Sequence, residues 1–190
     1  MNLGKLVFSS VVLVALSGML VSLSWSQNPY AGDVNKIDAA GKRQGQWFLT
    51  AGMLKLGSPW MPEQIVWEGS YQNSKPTGRW SRYDHHSDLI TESIYDSISH
   101  YAASKMFLDN KLIAETNYND KGSHEGADKR YYIDGQIQSE MTWKDGRLDG
   151  PAKTYYPNGQ VCEEGMWKHS YWQGGYKLYS NSGQLLFSRE

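Results

Sequence analysis

Residues 140 to 160 read EMTWKDGRLDGPAKTYYPNGQ. Two runs containing aromatic and β-branched residues flank Asp145-Gly146, and Asn158-Gly159 closes the second run, which is the sequence signature of a β-hairpin followed by another turn. One such stretch would decide little, but its elements recur. The pattern Glu-x-x-aromatic stands at Glu68/Tyr71, Glu92/Tyr95, Glu115/Tyr118, Glu140/Trp143 and Glu164/Trp167, with steps of 24, 23, 25 and 24 residues. A small-residue column, Gly78, Ala102, Gly126, Gly150 and Gly174, repeats every 24 residues. Five positions after each member comes a ring: Tyr83, Phe107, Tyr131, Tyr155 and Tyr179. A basic column, Lys105, Lys129, Lys153 and Lys177, keeps the same step, with Ser81 in the first place. Four columns sharing one period mark a repeat array.

The columns also imply a register. If Trp143 lies opposite Gly150, then Glu140 lies opposite Lys153, and opposite charges face each other across each hairpin. Glu140 and Trp143 are an odd number of residues apart, so they point to opposite faces of a strand. The expectation is one face with a ladder of charges and the other with the large rings, Trp143 covering Gly150 and Trp167 covering Gly174. The implied fold class is all-β: an elongated single-sheet antiparallel meander of tandem β-hairpin repeats of about ten to twelve strands, following an N-terminal signal helix. Turn signals close the copies at Asp134-Gly135, Asn158-Gly159 and Ser182-Gly183, with Asp109-Asn110 at the matching earlier place.

Working toward the N-terminus, five repeats occupy 67–190 and a degenerate first repeat occupies 38–66, where Gly41 and Gly45 echo Gly146 and Gly150. An insertion at 51–64, carrying Gly57-Ser58-Pro59-Trp60-Met61-Pro62, interrupts the period and reads as a protruding loop. Residues 27–37 read as a linker. Before it, Lys5 precedes an uncharged apolar run from Leu6 to Val21, and Ser24 and Ser26 are small residues suited to cleavage before Gln27. This is the layout of a signal peptide over 1–26. An uncleaved anchor is the competing reading, because the run approaches the length needed to span a bilayer. Export to the periplasm or the outside of the cell is the expectation, with membrane attachment only if the segment is retained.

Composition narrows the function. The chain has 190 residues, 13 Tyr, 8 Trp and 19 Gly, and a formal net charge of -1. A near-neutral chain without a basic patch is not suited to neutralise nucleic-acid phosphates. Cys162 is alone, so the chain can form neither an internal disulfide nor a site of several cysteines. No phosphate-binding glycine loop or nucleophile-elbow motif occurs, and the acidic residues are periodic rather than paired. No catalytic residue and no cofactor is expected. Asp84-His85-His86 with Asp88 is the one cluster with metal-ligand character in the linear sequence. Adjacent side chains on a strand point apart, so it reads as a solvated turn, and no metal site is expected in the chain.

Residues 140–160, with their Gly, Tyr-Tyr and Asn-Gly-Gln pattern, resemble the MORN-repeat-variant family, bacterial repeat proteins often labelled as antitoxins of toxin-antitoxin systems. The resemblance extends over 67–190 and more weakly over 38–50. It implies a β-sheet used for binding or scaffolding, with no catalytic residues to carry over. The expected partner is a protein of the cell envelope, and the alternative is carbohydrate or cell-wall material stacked on exposed rings. Candidate binding residues are Trp60 in the insertion and the aromatic column Tyr71, Tyr95, Tyr118, Trp143 and Trp167.

Overall fold

The computed structural model describes residues 33–96 and 100–190. The expected signal segment and the linker up to residue 32 lie outside the described residues. The rest contains thirteen strands: β1 (Lys36–Ile37), β2 (Arg43–Thr50), β3 (Ile65–Gln72), β4 (Lys75–Tyr83), β5 (Leu89–Tyr95), β6 (Tyr101–Leu108) and β7 (Lys111–Asn117), then β8 (Gly126–Tyr131), β9 (Ile137–Lys144), β10 (Arg147–Tyr155), β11 (Val161–Lys168), β12 (Tyr171–Tyr179) and β13 (Leu185–Arg189). They form one sheet in strict chain order, each strand antiparallel to its neighbours. The expected all-β meander is thus the observed one, with a two-residue β1 taking the count past twelve. Among the described residues no helix is long and apolar enough to cross a membrane.

Local chemistry explains the turns. Four hairpins close through two residues that both have positive φ: Asn73-Ser74, Asp109-Asn110, Asp145-Gly146 and His169-Ser170. Two consecutive positive φ values define the turn whose twist matches that of paired strands, and Asn, Asp and Gly adopt it most readily. The signals at 134–135, 158–159 and 182–183 lie in wider turns, where the amide of Tyr132, Tyr156 or Ser180 donates to the carbonyl four residues on, each at 2.8 Å.

A single row of directly opposed residues crosses twelve strands: Phe48, Glu68, Ser81, Glu92, Lys105, Glu115, Lys129, Glu140, Lys153, Glu164, Lys177 and Ser188. All four expected Glu/Lys pairings hold, including Glu140 opposite Lys153. The expected Trp143/Gly150 pairing does not. Trp143 lies opposite Leu148 on one side and Gly126 on the other. The cause is a bulge, in which Asp149, Gly150 and Pro151 of β10 oppose only Thr142 of β9. Gly150 has φ +132°, a conformation side-chain-bearing residues rarely adopt. The column aromatics therefore face the glycine of the preceding strand, as in Gly45/Tyr71, Gly78/Tyr95, Gly126/Trp143 and Gly150/Trp167. Trp167 pairs with Trp172 rather than Gly174.

A single-layer sheet has two faces and no closed interior, and burial is correspondingly sparse. Among the described residues the buried apolar side chains are Trp47, Ala51, Val66 and Trp80, gathered around β2 to β4. A ring covering a strand glycine does occur there. Trp80 lies over Gly69, where an added Cβ would come within 2.2 Å of the indole.

Candidate functional site

The face bearing the central row also carries rings, which revises the expected separation of charges from aromatics. Tyr131 donates its hydroxyl to Glu115 at 2.7 Å, Tyr155 to Glu140 at 2.8 Å and Tyr179 to Glu164 at 2.9 Å. Tyr83 donates to Glu68 in the same way. Phe107, 15 residues after Glu92, holds the corresponding column position but has no hydroxyl, and Glu92 instead forms an ion pair with Arg79 at 3.1 Å. The lysines lean to the C-terminal side. Lys105 pairs with Glu115 at 3.2 Å, Lys129 with Glu140 at 3.4 Å and Lys153 with Glu164 at 3.0 Å, while Lys177 returns to Glu164 at 3.7 Å.

These contacts set the protonation of the row. Burial, reinforced by the glutamate that accepts the hydroxyl, pushes Tyr83, Tyr131 and Tyr155 up to about 12. The donated hydroxyl of Tyr131, then Lys105, holds Glu115 below the usual carboxylate range. Lys153, then Tyr179, does the same for Glu164. The result is a polar surface on which Glu115 and Glu164 are held in their ionised form and the paired side chains are restrained by one another.

On the opposite face the candidate aromatics separate into groups. Tyr95, Tyr118 and Trp143 belong to one chain of rings, joined by Tyr101 and His124. Successive centroids are 5.5, 4.8, 5.1 and 5.1 Å apart. Tyr71 belongs to a second group, edge-on to Trp47 at 5.7 Å and to Trp80 at 4.8 Å. Arginines cap several rings. Arg43 lies over Trp47 and Tyr71 at 5.3 and 5.1 Å, Arg82 over Trp67 at 5.5 Å and Arg189 over Trp172 at 4.6 Å. Such guanidinium–ring contacts contribute about 0.5 to 1 kcal/mol at exposed sites. Trp167 stands apart from both ring groups, half-buried on β11.

Trp60 lies on the other side of the sheet, at the β2–β3 connection. The base of this segment is tied in: Ala51 is 0 % exposed, its amide donates to the Gln64 carbonyl at 2.9 Å, and Gln64 donates to the His85 carbonyl at 2.7 Å. Trp60 stands edge-on to His85 at 6.2 Å. The rings of His85 and His86 lie tilted against each other with centroids 4.0 Å apart, and Asp84 accepts the amides of His86 and Asp88 at 2.8 and 3.0 Å, so a self-bonded turn occupies 84–88.

Sequence reasoning missed the Tyr–Glu contacts, although their separation of 15 or 16 residues is as regular as the repeat. It also missed Tyr101, at the start of β6, and His124, bridged to Tyr118 in the β7–β8 connection, neither of which the columns cover.

Residues 148–169 match the model of the MORN repeat variant family. That span runs from β10 through the 156–160 turn to the end of β11. No curated protein matches the sequence. Among solved structures, one titled "Crystal Structure of TarM" is similar over 50 % of this chain and 18 % of its own, at 15 % identity and a TM-score of 0.34. The chain therefore spans under a fifth of that protein.

Proposed function

We propose that this chain is an exported, non-enzymatic repeat module that binds or scaffolds a protein partner in the cell envelope. The observation that carries the reading is the central row, in which a strip of alternating charges is held by tyrosine hydroxyls and neighbouring lysines. Prearranged polar groups lose little freedom when a partner docks, and they favour a partner of complementary charge pattern. Export rests on the apolar segment from Leu6 to Val21 and the small residues Ser24 and Ser26. The glycan alternative is weaker, because arginines lie over Trp47, Trp67 and Trp172 where a sugar would stack. The absence of an enzymatic role is supported by the row itself, whose Glu115, Glu140 and Glu164 are each engaged by a tyrosine and a lysine.

The test compares the wild-type chain with a Lys129→Glu/Lys153→Glu variant in pull-downs from envelope extracts, beside sedimentation with cell-wall polysaccharide. A defined protein retained by the wild type and lost by the variant supports the reading. Equal retention by both chains, or cosedimentation with polysaccharide alone, overturns it. Mass spectrometry of the protein recovered from cells reports the N-terminus, and an intact Met1 on a cytoplasmic chain defeats export.

A further inference from the structure

We propose that Asp96, His100 and Asp120 form a binding site for a divalent transition-metal cation of the zinc or manganese class. The site lies on the side of the sheet where the β5–β6 and β7–β8 connections meet, and it is independent of the docking surface proposed above. One ligand atom from each residue falls within 4.8 Å of the others. His100 Nδ1 lies 3.5 Å from Asp96 Oδ2 and 3.6 Å from Asp120 Oδ1.

Those separations are the core of the case. They exceed the 2.7 to 2.9 Å typical of charge-assisted N–H···O contacts, and Nδ1 is a buried atom with no hydrogen-bond partner. Donors that share a tetrahedral ion at bond lengths of about 2.1 Å stand roughly 3.4 Å apart. The two observed edges match that figure. Two carboxylates this close also repel each other, and a dication removes the repulsion while satisfying the imidazole nitrogen.

Backbone hydrogen bonds help to position the donors. The His100 amide donates to Asp96 Oδ1 at 2.8 Å, and the Asp96 amide donates to the His100 carbonyl at 3.0 Å, so the two residues are tied directly to each other. Asp120 is presented by the next turn, where Asn119 Oδ1 accepts the amides of Lys121 and Ser123 at 3.0 and 3.1 Å. The Tyr118 amide donates to the Ala102 carbonyl at 2.8 Å, which holds the end of β7 beside the start of β6 and so brings Asp120 toward His100. Asp120 is 85 % exposed on its side chain, which leaves a path for entry and room for water to complete the coordination. One imidazole with two carboxylates suits zinc or manganese better than calcium, which prefers a set composed of oxygens alone.

The experiment is calorimetric titration of the full chain, stripped with a chelator, with zinc chloride and separately with manganese chloride; calcium chloride serves as the comparison. One zinc ion per chain is expected, with cobalt substitution giving the visible absorption of a low-coordinate site. Changing a residue that merely orients a metal ligand costs about 10- to 100-fold in affinity, so His100→Ala and Asp120→Asn, which remove ligands, should weaken binding by at least that much. His169→Ala, distant in the repeat, should leave it unchanged. If His100→Ala fails to fold, Asp120→Asn at its exposed position still decides the matter. No zinc or manganese binding by the wild type up to millimolar metal overturns the proposal, as does an identical isotherm for Asp120→Asn.

Discussion

Trp80 lies flat against the backbone of Gly69, close enough that a methyl group on Gly69 would overlap the indole at 2.2 Å. The indole is 6 % exposed and donates to the Ser70 carbonyl at 3.1 Å, so it is packed and anchored rather than free to swing away. Gly69→Ala should therefore lower stability by about 1 to 3 kcal/mol, the usual cost of forcing extra volume into a packed site. Urea denaturation measures it. A loss below about 0.5 kcal/mol, the range of surface changes without a structural role, would show that the ring yields.

The tyrosine hydroxyls on the other face make a paired prediction. Tyr155→Phe removes the donor to Glu140 and should cost about 1 kcal/mol, the scale of a hydrogen bond in a partly exposed setting. Phe107→Tyr should do the reverse, because Phe107 follows Glu92 by the same 15 residues that separate Tyr155 from Glu140. A double-mutant cycle of Tyr155→Phe with Glu140→Gln separates the shared contact from the rest. Equal effects of Tyr155→Phe with and without Glu140 would remove the hydrogen bond from the account of the row.

The same contacts set the pH limits of the fold. Tyr83, Tyr131 and Tyr155 are raised from 10.0 to about 12, so their neutral form is favoured in the folded chain. Their contribution is complete below pH 10 and is lost as pH rises through 10 to about 12. Glu115 and Glu164 are lowered from 4.5, so their contribution is complete above that value and is lost as pH falls through the folded one. Thermal melts against pH should show a plateau between these windows. Absorbance at the phenolate band should show a late-titrating group of tyrosines, and a single ordinary transition for every tyrosine would contradict the assignment.

The β2–β3 connection should respond unevenly to mutation. Ala51→Leu places a large side chain where the alanine is 0 % exposed and should destabilise the chain by about 1 to 3 kcal/mol. Trp60→Ala removes a half-buried ring whose described aromatic contact is His85, and should cost about 1 kcal/mol or less. Melting curves of the two variants test the ordering. Unfolding on loss of Trp60 would place the whole segment in the structural core.

Much of the architecture was legible because a repeat must reproduce what it needs in order to stack. The 24-residue step and the Glu-x-x-aromatic alternation were enough to place Glu140 opposite Lys153. The same arithmetic failed for Trp143 and Gly150, because the residues 149–151 that oppose Thr142 add length to one strand only. A bulge present in successive copies leaves the period intact, so column spacing cannot reveal it. The sequence-defined aromatic candidates divide among different neighbourhoods; strand direction, for example, places Trp60 in the β2–β3 connection and Tyr95 at the end of β5, beyond opposite ends of the strands. Asp96, His100 and Asp120 were harder still to find, since they meet only when residues from two different connections are brought side by side.

Every strand in the described sheet is bonded only to the strands before and after it in the chain. Tension applied between Asp33 and Glu190 would consequently load the ladder one pair at a time, from an outer strand inward, rather than shear the whole sheet at once. Each 24-residue unit released in this way contains roughly 80 Å of extended chain, at about 3.4 Å per residue. A molecule built on this plan stores extensible length as well as area, and it releases that length in steps set by its own period.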